Sequence, residues 1–146
     1  MTLEQQPVRR VDTTSLAARL TQAAMAVVLA IVSVLLMIST HRVELPAAGL
    51  HLPAGLLFGA LFQVVASVFL WAATGSRLPL LVLGSLWGVL AMPFLGEGMG
   101  GGVMMPAMLG TEPQYSGWVV QGLGLVIPFL IAGLITLVRR SRSRAG

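Results

Sequence analysis

The sequence predicts an all-α polytopic membrane protein, a bundle of four transmembrane helices with both termini cytoplasmic, and three observations carry that reading. The 146 residues are 56% hydrophobic and only 10% charged, with a mean hydropathy of +0.90, a balance that cannot dress a soluble globule in a charged surface. Four apolar stretches each approach the roughly 20 residues that a helix needs to cross a bilayer core. The basic residues are all arginine and gather almost entirely on one side of those stretches. Because the spans consume most of the length, one domain is expected.

The N-terminal tail, residues 1–19, carries Arg9, Arg10 and Arg19 and leads into a first span over 20–38. That apolar stretch is longer than the h-region of a secretory signal, and no small-x-small site follows it before the polar "THRVE", so an uncleaved anchor is expected. A second span covers 56–73 and a third 78–95. Only Thr74, Gly75, Ser76 and Arg77 separate them, so they are expected to form an antiparallel hairpin, with Gly75 and Pro79 marking the break. The fourth span covers 118–138, after an outer loop over 96–117, and a basic tail over 139–146 closes the chain.

Orientation follows from arginine, which is retained on the cytoplasmic side when it lies near a span end. With four spans both tails share a face, and that face holds Arg9, Arg10, Arg19, Arg77, Arg139, Arg140, Arg142 and Arg144, against Arg42 opposite. The expected location is the cell membrane, multi-pass. Clustered arginine also attracts nucleic acid, but "RRSRSRAG" directly after an apolar span reads as an anchor. Arg139, Arg140, Arg142 and Arg144 would meet anionic headgroups at about 1 kcal/mol per charge, and no nucleic-acid partner is expected.

Hydrophobicity does not drive helices together in lipid, so close packing and polar contacts must do so. Small and polar residues recur along each span: Ala23, Ala26, Ala30 and Ser33 in the first; Gly55, Gly59, Gln63 and Ser67 in the second; Gly84 and Gly88 in the third; Gly124, Pro128, Ala132 and Thr136 in the fourth. Gln63 and Trp87 fall at similar depth on the two arms of the hairpin. Each would leave a polar group unpaired in hydrocarbon, so a mutual hydrogen bond is expected. Pro128 removes a backbone donor and frees the carbonyl of Gly124, which reads as a kink.

No catalytic constellation survives a check of location. Cysteine is absent, which excludes thiolate metal sites and cysteine nucleophiles, and no phosphate loop or intramembrane acid is present. His41, Glu44 and His51 could offer metal ligands, but the spacing through "THRVELPAAGLHLP" shows no helical or hairpin regularity that brings the rings together. No cofactor is expected.

The outer segment "GEGMGGGVMMPAMLG" is the least ordinary stretch. Its glycines, Gly98, Gly100, Gly101 and Gly102 among them, allow a chain to fold back, while the apolar run from Val103 to Leu109 favours burial as a re-entrant or partner-facing lid. Met99, Met104, Met105 and Met108 are soft donors, which leaves an outward-facing copper site as a weaker alternative.

Arginine-only basic tails, the tight hairpin between the second and third spans, and a "GEGMGGGVMMP" loop before the last span together resemble the small four-span integral membrane proteins of unknown function in actinobacteria. The resemblance covers the whole chain, implies a four-span fold and brings no catalytic residue with it. The arginine bias itself suggests a GC-rich genome. The functional expectation is a non-catalytic membrane subunit or scaffold, packed through its small-residue faces against a larger membrane partner or against itself. A small oligomeric transporter or channel with Gln63 and Pro128 near its pathway is the alternative.

Overall fold

The computed structural model of the chain describes residues 15–47, 49–96, 104, 105, 108, 109 and 111–145. Helix α1 runs Leu16–Thr40, α2 Ala54–Thr74, α3 Leu78–Ala91 and α4 Tyr115–Ala145. A 3-10 turn, Met92–Phe94, prolongs α3. Three of these helices are long and apolar enough to cross a membrane, and α3 with its 3-10 extension is a shorter apolar helix. The chain is an all-α bundle that suits a membrane.

Local chemistry fixes the ends. The Ser15 hydroxyl accepts from the Ala18 amide and caps α1. Gly75 ends α2 in the left-handed region at φ 63°, where a side chain is strained, and its amide donates to the Trp71 carbonyl. Proline in the first turn of α3 then costs no intrahelical hydrogen bond. The fourth helix does not stop at the membrane boundary expected near residue 138. Arginine and serine are compatible with continued helix, so α4 carries the basic tail as exposed turns to Ala145.

The connection from α1 to α2 contains a short hairpin, β1 Leu45–Ala47 with β2 Leu50–Leu52, in antiparallel register Leu45↔Leu52. This corrects the expectation that the segment lacks hairpin regularity, and Gly49 at φ 80° supplies the turn. In the long connection from α3 to α4 a second hairpin pairs β3 Met108–Leu109 with β4 Glu112–Pro113.

Helix order in space departs from order in sequence. α1 packs chiefly on α3 and α2, and α4 on α2 and α3, while α2 and α3 meet far less than these pairs. Although only three residues join them, α2 and α3 therefore sit across a diagonal rather than pairing as the expected hairpin. Small residues explain the choice, because they face other helices. A β-carbon at Gly55 would lie 1.7 Å from the Thr40 carbonyl oxygen and one at Gly59 3.1 Å from the Met37 side chain, both on α1. Equivalent atoms at Gly84 and Gly88 would lie 3.0 Å from Phe129 and 2.8 Å from Leu125, both on α4. Two apolar clusters fill the interior: Ala26, Ala30, Ala66, Leu70, Leu80, Leu83 and Ala132 towards one end, and Val34, Met37, Ile38, Trp87, Ala91, Met105 and Val120 towards the other.

Candidate functional site

Where the two apolar clusters meet, one residue from each helix contributes to a single polar knot. The amide nitrogen of Gln63 on α2 donates to the Gly124 carbonyl on α4 at 2.8 Å. Its amide oxygen accepts from the hydroxyl of Ser33 on α1. That same hydroxyl accepts from the indole nitrogen of Trp87 on α3 at 3.1 Å. The circuit closes by packing, since the Trp87 ring lies over Gly124 so tightly that a β-carbon there would fall 2.2 Å from it. Ser33, Gln63 and Trp87 are fully buried.

Trp87 and Gln63 do not form the mutual hydrogen bond that the hairpin reading expects. The diagonal placement of α2 and α3 puts the α1 serine between them, and each partner reaches Ser33 instead. The proline signal acts as the sequence implies: Pro128 lacks the amide that would serve the carbonyl four residues before it, and the Gln63 side chain takes that place. In the sequence Ser33 stands only as the last member of a small-residue stripe. A serine at the depth of Gln63 and Trp87 was the available signal for its bridging role. Ser67, one turn from Gln63, is fully buried with no hydrogen-bond partner for its hydroxyl.

His41, one residue past α1, is buried, and its Nδ1 lies 2.6 Å from the Ile38 carbonyl, which makes Nδ1–H the donor and leaves Nε2 without a partner. Burial lowers its pKa. The Ile38 hydrogen bond opposes that shift, and the Arg42 charge adds to it. His51 is instead exposed and 3.6 Å from the Glu44 carboxylate. The two histidines thus occupy different environments, and no group of three histidine, aspartate or glutamate side chains among the described residues is placed to hold a metal ion.

Among the described residues, the connection from α3 to α4 folds back onto the bundle at Met105. Met105 is buried, its amide donates to the Phe94 carbonyl, and its β-carbon faces Gly117 on α4. Arg42 donates to the neighbouring Met104 carbonyl at 3.2 Å. Met104 and Met108 are exposed, so the described methionines point into different surroundings, while Met99 and Gly98, Gly100, Gly101 and Gly102 lie outside the described residues.

No family model, curated protein or solved structure matches this chain. Function must be argued from its own residues. At the opposite end of the bundle from Arg42, Arg139 donates to the Gly75 carbonyl and Arg77 donates to the Thr136 hydroxyl. Arg140, Arg142 and Arg144 are exposed along the last turns of α4.

Proposed function

We propose that this chain is a non-catalytic integral membrane subunit or scaffold, with four spans in the cell membrane and both termini in the cytoplasm. The observation that carries the reading is the polar knot. Both ends of the Gln63 amide are engaged by neighbouring helices, as is the Gly124 carbonyl that Pro128 releases, so these groups hold helices together rather than face a pathway. The arginine asymmetry supports the orientation, since the start of α1, the turn before α3 and the end of α4 line one cleft.

The small residues on the facing sides of the helices pack within the chain, so a partner must use other surfaces. A β-carbon at Gly122 or Gly133 on α4 would meet no atom within 4 Å, and helical spacing puts both on one exposed face with Val126 and Leu137. That face favours close approach by another membrane helix, from a larger partner or a second copy.

Isolation of the tagged chain in mild detergent tests the reading. Expected is a stoichiometric membrane-protein partner or a homo-oligomer that is lost when Gly122 and Gly133 become leucine, with the monomer still folded. A purified oligomer that moves solute across liposomes, and stops doing so as Gln63→Leu, would establish the transporter instead. For orientation, a cysteine at Thr111 should react with an impermeant maleimide on intact cells and one at Ser143 only after permeabilisation. The reverse pattern would invert the topology.

A further inference from the structure

Arg19 from the first turn of α1, Arg77 from the turn before α3 and Arg139 from α4 converge on one cleft of about 440 Å³, whose lining also includes Gln22, Ser76 and Leu78. Gathering three guanidinium groups is electrostatically unfavourable unless an anion joins them. Among the described residues no carboxylate reaches this cleft, because Glu44, just before β1, and Glu112, in β4, lie at the other end of the bundle. The hydrogen bonds that Arg77 and Arg139 do make are to neutral oxygens, at 2.7 Å to the Thr136 hydroxyl and 2.9 Å to the Gly75 carbonyl. Such bonds aim a guanidinium without neutralising it, and each retains further N–H donors in the planar fork that matches phosphate oxygens. The α3 N-terminus begins in the same wall and adds a favourable partial charge for an anion.

A second cleft of about 450 Å³ shares Ser76, Arg77 and Leu78 with the first and continues between α3 and α4 to Leu81 and Ala132. The combined groove is cationic at its mouth, and beyond it Leu78, Leu81 and Ala132 give an apolar wall between α3 and α4. A free phosphate needs only the mouth, whereas a phospholipid fits both parts, with its headgroup at the arginines and an acyl chain along the helices. We propose that this groove is a site for one anionic phospholipid, Arg19, Arg77 and Arg139 taking its phosphate and the α3–α4 surface an acyl chain. The site is distinct from the diffuse attraction of the exposed tail arginines.

The full chain is embedded in nanodiscs of equal phosphatidylglycerol and phosphatidylcholine, released, and its retained lipid read by native mass spectrometry. One phosphatidylglycerol per chain should be retained in preference to phosphatidylcholine. Arg77→Gln with Arg139→Gln should reduce that retention about tenfold or more, whereas Arg142→Gln with Arg144→Gln, an equal loss of charge, should leave it in place. Because Arg77 and Arg139 also tie α4 to the α2–α3 turn, Arg19→Gln is measured beside them, on an exposed side chain that carries no such tie, and it should weaken retention in the same direction. Equal losses in the cleft and tail variants, or no preference for the anionic lipid, would overturn the proposal. So would displacement of the lipid by millimolar inorganic phosphate, which would identify a free-phosphate site at the mouth alone.

Discussion

The side-chain nitrogen of Gln63 lies 2.8 Å from the carbonyl oxygen of Gly124, the acceptor that the proline at 128 cannot serve. Two features that look separate in the sequence are thereby one device. A proline inside a membrane helix leaves a carbonyl orphaned in hydrocarbon, and a glutamine inside another helix brings donors that need an acceptor. Each satisfies the other. Glycine at 124 completes the fit, because it lets the Trp87 ring close over the same stretch of backbone.

If the glutamine substitutes for the missing amide, restoring that amide should make the glutamine less important. In the native background Gln63→Leu should lower stability in detergent by about 1–2 kcal/mol, since it orphans the Gly124 carbonyl and removes the acceptor of Ser33. In a Pro128→Ala background the backbone can serve the carbonyl, and the same change should cost about half as much or less. Equal costs in the two backgrounds, read from unfolding midpoints, would show that proline and glutamine act independently.

A second prediction follows from Ser33 lying between Gln63 and Trp87. Double-mutant cycles of Ser33→Ala with Gln63→Leu, and of Ser33→Ala with Trp87→Phe, should each show coupling of about 0.5 kcal/mol or more. The cycle of Gln63→Leu with Trp87→Phe should show less, because its members meet only through the serine. Strongest coupling in that last cycle would restore the direct pair.

Glycines on α4 give a third test. Gly124→Ala drives a methyl into the indole of Trp87 and should cost about 2–3 kcal/mol, whereas Gly122→Ala meets nothing within 4 Å and should be neutral or stabilising by up to about 1 kcal/mol. Trp87→Leu should relieve part of the Gly124→Ala penalty. A similar gain at both glycines would mean that helix propensity, and not the ring contact, sets the response.

Much of this architecture is legible in the chain because each helix writes its own signal. Apolar length marks α1, α2 and α4, Gly75 and Pro79 mark the turn before α3, and the spacing of Gly55, Gly59 and Gln63 marks one face. Helix adjacency is not written locally. The short connection between α2 and α3 suggests a packed pair, yet the decisive contacts are made by Gly59 with Met37 and by Gly84 with Phe129, which place those helices on a diagonal. The identity of the bridge changed with it, from a Gln63–Trp87 bond to one through Ser33. The basic cleft was hidden for a related reason: Arg19, Arg77 and Arg139 each read as a topology signal, and only the fold brings them to one place.

The last prediction concerns His41, whose pKa is lowered mainly by burial at the end of α1. A histidine with a folded-state pKa below its unfolded value binds protons more readily in the unfolded chain, so stability is highest above the unfolded pKa of about 6.5 and falls as pH drops below it. The Nδ1–H bond to Ile38 holds the neutral ring in place, and protonation would put charge on a buried Nε2 that has no acceptor, beside Arg42. Detergent-solubilised protein should therefore lose thermal stability between about pH 7.5 and 5.5. His41→Phe should flatten that dependence whatever it does to stability at neutral pH, while His51→Gln, which changes only the exposed pair with Glu44, should preserve most of the slope. A slope that survived in His41→Phe and vanished in His51→Gln would assign the pH response to the surface pair and leave the buried histidine without an effect.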